Sequence, residues 1–167
     1  MYTGPAVRIV EILSEDLILP SLNATRKADV ITEVVDHIAQ VRAGFDKDRA
    51  VEVLLAREAQ GSTGVGNGFA IPHGKLPELT DVVACLACSV GGVDFNSLDG
   101  HPAHLVFAVL APEGAAGLHL KALARASRLF KEPDFRAQLV AERQTSALWK
   151  LVRQQDARLS LADDSRR

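Results

Sequence analysis

The chain has little net charge, few cysteines and no long apolar run, and each shortage removes a class of function. Its 19 basic and 21 acidic residues leave a formal charge of −2. That gives no basic field of the kind that holds nucleic acid non-specifically, so no nucleic-acid partner is expected. No apolar stretch approaches the roughly 20 residues of a membrane helix, and Met1 is not followed by a basic start and an apolar run of signal-peptide type. A cytoplasmic protein without membrane insertion is expected. Two cysteines, Cys85 and Cys88, are too few for a disulfide framework and should be free thiols. Internal repeats and low-complexity linkers are also missing, and 167 residues at 47% hydrophobic suffice for one domain with a sizeable core.

What is present alternates helical and strand patterns. Behind the polar run at 24–27, Val30, Val34, His37, Ile38 and Val41 recur at three- and four-residue spacing, which predicts a helix ending near Gly44. His37 on its apolar face reads as a packed, hydrogen-bonded side chain. A second helix starts near Asp46 or Lys47, carries Val51, Leu54 and Leu55 on one face and stops at Gly61. Arg57 lies in its last turn, where the helix dipole favours a cation. Short apolar 69–71 and longer 81–90 read as strands, and the continuous run 105–110 as a strand buried on both faces in mid-sheet. Leu118, Leu120, Leu123, Ala126 and Leu129 predict a helix over 115–129, with further helices near 133–142 and 146–155. Trp149 on the last of these reads as core or interface, and the closing SLADDSRR as a frayed polar tail. The fold class that follows is α/β: a single domain with a mixed β-sheet covered by helices.

After the second helix, and running through the first short strand, comes GSTGVGNGFAIPHGK, residues 61–75. Four glycines, Gly61, Gly64, Gly66 and Gly68, each cost backbone entropy, so the cluster needs a reason. Glycine loops often cradle phosphate with converging N–H groups. Neither nucleotide pattern fits. Gly68 to Gly74 leaves five residues where a Walker loop has four, and Leu76 follows Lys75 where a Ser or Thr should stand. The run from Gly64 to Gly68 reads GxGxG, not GxGxxG. No nucleotide cofactor is implied, so a phosphoryl group would arrive on a partner.

His73 offers a way to receive it. A neutral imidazole is a competent nucleophile near neutral pH, and a phosphorylated ring would need donors around it: loop N–H groups, the hydroxyls of Ser62 and Thr63, the guanidinium of Arg57. A lone loop histidine is more commonly a polar surface residue, and Pro72, which fixes the chain just before the ring, is what lifts this one. Cys85-x-x-Cys88 followed by His101-x-x-His104 approaches zinc-finger arithmetic. Its histidine gap is too short, however, and the cysteines point to opposite faces of a strand. Buried thiols and turn histidines are the better reading, with no metal.

The stretch AREAQGSTGVGNGFAIPHGKLPEL resembles the active-site segment of the EIIA domains of the phosphoenolpyruvate:sugar phosphotransferase system, in the fructose/mannitol class that includes the nitrogen-regulatory EIIA proteins. The resemblance continues in VDFNSLDGHPAHLVFAVLAPEGAAGLHLKALARASRLFKEPDFRAQL. It covers about residues 6–155, with 156–167 left as a polar C-terminal tail. It implies the EIIA fructose/mannitol-like fold and a phosphoacceptor at His73. The phosphoryl donor would be the phosphocarrier protein HPr or its nitrogen-branch counterpart.

The resemblance also implies that His119 lies beside His73 and that Arg57 helps hold the phosphoryl group. Ser62, Thr63, Gly64, Gly66, Asn67 and Gly68 would form the phosphoryl-binding loop, and no cofactor is needed. Taken alone, His119 reads as a polar residue on an amphipathic helix, and the resemblance reverses that preference. Stand-alone length favours a regulatory protein, acting on targets such as a sensor kinase or transporter, over a sugar-transport subunit that hands its phosphoryl to an EIIB cysteine. A binding module that works without phosphorylation is the remaining alternative. The oligomeric state is left open.

Overall fold

The two longest apolar runs pair with each other and set the sheet. β5 (Val83–Val93) and β6 (Ala103–Pro112) are antiparallel neighbours, with Val83 opposite Leu110 and Cys88 opposite Leu105. The computed structural model describes residues 7–167; residue 6, where the resemblance begins, and the chain start at Met1 lie outside the described residues. With β1 (Ile18–Leu19), β2 (Gly64–Gly66) and β3 (Phe69–Ala70), the sheet runs β1-β5-β6-β3-β2, and β4 (His73–Leu76) also pairs with β6. The strand expected over 105–110 is therefore central. Helices covering both faces explain why Leu105 to Ala111 is apolar throughout and fully buried.

β3 and β4 are one strand with a single flaw. Phe69 pairs with Leu105 and Ala70 with Val106, and the same offset carries His73 to Val109 and Leu76 to Pro112. Pro72 interrupts the ladder because it has no N–H to give, yet its carbonyl still accepts from the Val109 amide at 2.9 Å. His73, expected in a loop, instead opens β4 and is held in register by the central strand. Gly74 beside it is required by packing, since a Cβ there would lie 2.4 Å from Val53 Cγ1 on α3 (Lys47–Ala59).

α2 (Lys27–Val41) buries Val30, Ile31, Val34, Val35 and Ile38, and His37 Nε2 meets the Asp16 carbonyl at 2.7 Å. α4 (Ala116–Leu129) packs on β6 and ends at Phe130, whose ring stacks within 4.7 Å of Phe69, 5.3 Å of Phe107 and 5.9 Å of Phe135. That cluster ties α4 and α5 (Pro133–Ala141) to the sheet. α1 (Ile9–Ile12), the 3-10 turn Glu15–Leu17 and β1 are too short to show a period, and the sequence reading contains none of them.

The frayed tail is corrected. α6 runs from Thr145 to Asp164 without a break, through most of SLADDSRR. Its last turns are held by charge instead of apolar surface: Asp163 accepts from Arg125 and Arg128 at 3.2 and 2.8 Å. Among the described residues no helix is long and apolar enough to cross a membrane.

Candidate active site

The His73 ring is fixed through Nδ1, which lies 2.8 Å from the Ile71 carbonyl. A carbonyl only accepts, so Nδ1 carries the hydrogen and Nε2 keeps its lone pair. β6 ends at Pro112, opposite Leu76 of β4, and the chain turns at once into α4. The first turns of that helix therefore run back over β6, the strand that holds β4 in register. His119 meets His73 there edge to face, with ring centroids 5.4 Å apart and planes at 64°.

His119 is only 7% exposed, and its Nε2 is buried without a hydrogen-bond partner among the described residues. Burial first, then repulsion between a protonated His119 and its neighbours His73 and Lys75, push its pKa down to about 4. At neutral pH it is an uncharged imidazole with an unused polar nitrogen beside the His73 ring. Buried polar atoms are rarely left unpaired without a functional reason.

A titration follows from this. Between about pH 6.5 and pH 4 the unfolded chain binds a proton at residue 119 that the native protein does not. Stability should therefore fall as the pH falls through that window, on the order of 3 kcal/mol for this group. Urea unfolding of wild type and His119→Gln across pH 4–7 measures it. The variant should lose that part of the slope, and parallel curves would show that His119 is not the group responsible.

The glycine stretch is a hairpin. β2 and β3 pair antiparallel around Asn67, which adopts a left-handed φ of 58°. At Gly64 a Cβ would fall 2.3 Å from Ser97 Oγ, so β2 lies against the 94–97 segment at a distance only glycine permits. Several expected phosphoryl donors are already engaged inside the protein. The Gly64 amide donates to Ser62 Oγ at 2.9 Å, and Ser62 Oγ donates to the Phe95 carbonyl. The Asn67 amide donates to Asp99 at 2.8 Å, while the Gly68 carbonyl accepts from the His104 and Leu105 amides. Gly66 pairs with Phe69 in the hairpin ladder. Arg57, half-buried at the end of α3, donates from Nη1 to the Gly61 carbonyl at 2.9 Å.

Glu58 is the residue that sequence reasoning missed. Its carboxylate, 6% exposed, pairs with Lys27 Nζ at 3.1 Å and accepts from both the amide and the hydroxyl of Thr63. The Thr63 carbonyl accepts from the Ile71 amide at 3.0 Å, and the Ile71 carbonyl accepts from His73 Nδ1. A buried charge is thus linked stepwise to the His73 ring. One signal was available: an acid in the last turn of a helix is opposed by the helix dipole and needs a local partner.

The remaining candidates lie apart from the histidine pair. Cys85 and Cys88 are buried free thiols on β5. Burial raises both pKa values, Cys88 to about 11 with a small opposing effect of Arg143, which makes them poor nucleophiles at neutral pH. His104 Nδ1 donates to the Ser89 carbonyl at 3.0 Å, and His101 is exposed. No group of three metal-ligating side chains converges among the described residues.

The family model described as phosphoenolpyruvate-dependent sugar phosphotransferase system, EIIA 2, matches residues 11–155. A nitrogen regulatory protein of Bradyrhizobium diazoefficiens is 42% identical over 144 residues, which are 86% of this chain and 94% of that protein. The fructose-specific EIIABC component of Bacillus subtilis is 37% identical over 150 residues, 90% of this chain and 24% of that longer protein. Among solved structures, nitrogen regulatory protein IIA-Ntr of Neisseria meningitidis superposes with a TM-score of 0.79 at 28% identity, covering 86% of this chain and 98% of its own. IIA mannitol of Escherichia coli shares the fold, with a TM-score of 0.72 at 18% identity, covering 84% of this chain and 98% of its own. The helix-covered mixed sheet and the long family match agree: the chain belongs to the EIIA 2 family of the phosphoenolpyruvate-dependent sugar phosphotransferase system.

Proposed function

We propose that the protein accepts a phosphoryl group on Nε2 of His73 from a phosphohistidine carrier, HPr or its nitrogen-branch counterpart. In this reading its phosphorylation state regulates target proteins such as a sensor kinase or transporter. The observation that carries the proposal is the Nδ1 bond to the Ile71 carbonyl, which leaves Nε2 as the ring's nucleophile. In the transfer, the donor's N–P bond breaks as the bond from Nε2 to phosphorus forms. The donor imidazole leaves with its electron pair, and His73 keeps its Nδ1 proton.

The dianion that results lies against His119, whose unpartnered Nε2 gains a reason to carry a hydrogen and donate it. Arg57 has N–H groups beyond the one on Gly61 to offer the phosphoryl oxygens. With the amides of Thr63, Gly64 and Asn67 engaged internally, the glycine hairpin serves as the frame that fixes Ile71 and His73. Likeness to nitrogen regulatory proteins over nearly their full length favours the regulatory role. The added charge would change which partner surfaces dock on this face.

Likeness to the fructose-specific EIIABC component supports a second reading, in which the phosphoryl passes to an EIIB cysteine. One experiment addresses both. Incubation with phosphoenolpyruvate, Enzyme I and each carrier should add one phosphoryl mass to the intact protein. Phosphoryl retained when a fructose-type EIIB is added favours regulation; rapid discharge favours transport. No mass gain with any carrier removes both and leaves the phosphorylation-independent binding module.

The frame itself can be tested. Replacing Glu58 with alanine frees Thr63 and unpairs Lys27, so the Ile71 carbonyl loses its anchored position. Phosphorylation should slow about tenfold, the equivalent of one lost charged hydrogen bond. The 15N shifts of His73 should move toward a mixture of tautomers. Unchanged ring shifts would show that the hairpin holds His73 without Glu58.

A further inference from the structure

Away from the histidine pair, α5 lies over the end of the sheet where β5 and β6 meet the glycine hairpin, and a cleft of about 510 Å³ opens there. Its floor is apolar: Val90, Leu105, Ala137 and Val140. Its rim carries His104, Arg136 and Arg143, and among the described residues no aspartate or glutamate lines it, although acids outnumber bases in the chain. Val90 is left 55% exposed at its edge.

The rim groups are held in place by the fold before any ligand arrives. Arg136 Nη1 donates to the Phe130 and Lys131 carbonyls at 2.7 and 2.8 Å. Arg143 Nη1 donates to the carbonyls of Val140 and Glu142, and His104 is fixed through Nδ1. These bonds use backbone carbonyls, so they orient the guanidinium groups without neutralising them. Among the described residues neither arginine has a carboxylate within ion-pair distance, and the Glu142 carboxylate feels the Arg143 charge only as a minor influence behind its backbone bonds. The nearest acid in sequence, Glu142, accepts from the Arg143 and Gln144 amides.

The geometry points to a second binding site, for a small organic anion with an apolar body: a carboxylate held between Arg136 and Arg143, its hydrocarbon part on Val90, Leu105 and Val140. Guanidinium forks match carboxylate geometry, and the volume is that of small-molecule sites in general. A folded protein partner would need roughly 20–30 residues on this side, whereas eleven line the cleft. The site is separate from the phosphoryl chemistry, since Leu105 and His73's partner Val109 stand four residues, about 13 Å, apart along β6. It nevertheless shares Gly68 with the hairpin that leads to His73, through the bonds from the His104 and Leu105 amides.

The test is a methyl-detected NMR titration of the full chain with octanoate, with octanamide as the uncharged control. Saturable shifts confined to Val90, Leu105, Ala137 and Val140 are expected. Affinity should fall about tenfold or more in Arg143→Gln, in line with loss of one charged hydrogen bond. Arg136 also holds two carbonyls at the end of α4, so Arg143→Gln, an exposed position, is the decisive variant. The assignment is overturned by shifts that do not saturate at millimolar octanoate, by equal binding of octanamide, or by unchanged affinity in Arg143→Gln. A peptide with an apolar C-terminus that binds tenfold tighter than octanoate would also overturn it, in favour of a protein tail.

Discussion

His73→Ala is expected to abolish phosphorylation, lowering the rate of phosphoryl uptake at least a thousandfold, as loss of a covalent nucleophile does. The other four histidines are poor substitutes, each for a visible reason. His37 has Nε2 on the Asp16 carbonyl, and His104, although held through Nδ1 as His73 is, stands five residues along β6 from Val109, the partner of His73, and away from His119. His101 stands exposed in the turn before β6, outside any frame of donors, and His119 Nε2 is buried. The variant should still fold. It loses one hydrogen bond at a half-buried position, about 1 kcal/mol, while Pro72 and Gly74 keep the strand in register. Intact-mass measurement at mildly alkaline pH, where phosphohistidine survives, reads the outcome. Uptake at the wild-type rate in a folded His73→Ala protein would move the acceptor elsewhere and end the proposal. His119→Gln should fall between, losing about tenfold to a hundredfold, because Nε2 stays on the nucleophile while one polar neighbour is changed.

The readings that succeeded were those with a long period. α2, α3 and the central strand could be seen because Val30, Val34 and Ile38, or the run 105–110, repeat one environment over several residues. The candidate site was legible in a different way. His73 could be singled out from its chemistry and from Pro72 and the glycines around it, but nothing in the spacing of α4 marks His119. Resemblance supplied it, and the pairing of the two rings is tertiary geometry. The strand that carries His73 was hidden by Pro72, which breaks the pattern of donors without breaking the register. The hairpin was hidden by its glycines, which suggested a loop with free amides. Those amides are taken up by Glu58, Ser62 and Asp99, partners up to 32 residues away that a local reading cannot supply.

The same limit explains the end of α6, and there the largest stability effect is expected. Asp156 is 0% exposed; its carboxylate accepts from Arg125 Nε at 2.8 Å and from the Val10 amide at 3.2 Å, and its Oδ1 lies 2.7 Å from Arg125 Nη2 as an ion pair. Arg125, 4% exposed, also donates to the Asp156 carbonyl and to Ser160 Oγ. The charges are therefore buried together with nearly every donor and acceptor used. Asp156→Ala leaves the guanidinium buried with only the partly exposed Asp163 to balance it, so a loss of about 3–5 kcal/mol is expected. In a chain of this length that corresponds to a fall in Tm of roughly 10 °C. Asp163→Ala, by contrast, removes a solvent-screened partner and should cost at most about 1 kcal/mol. Replacing both buried partners with apolar residues of similar volume, Arg125→Met with Asp156→Leu, should recover most of the loss, since neither charge then needs compensation. Thermal and urea unfolding of the four proteins decides the matter. If Asp156→Ala and Asp163→Ala were equally mild, the buried pair would not be what holds α6 to α4 and α1. If the double replacement were as unstable as Asp156→Ala, the stabilisation would lie in the hydrogen-bond geometry rather than in the pairing of charge.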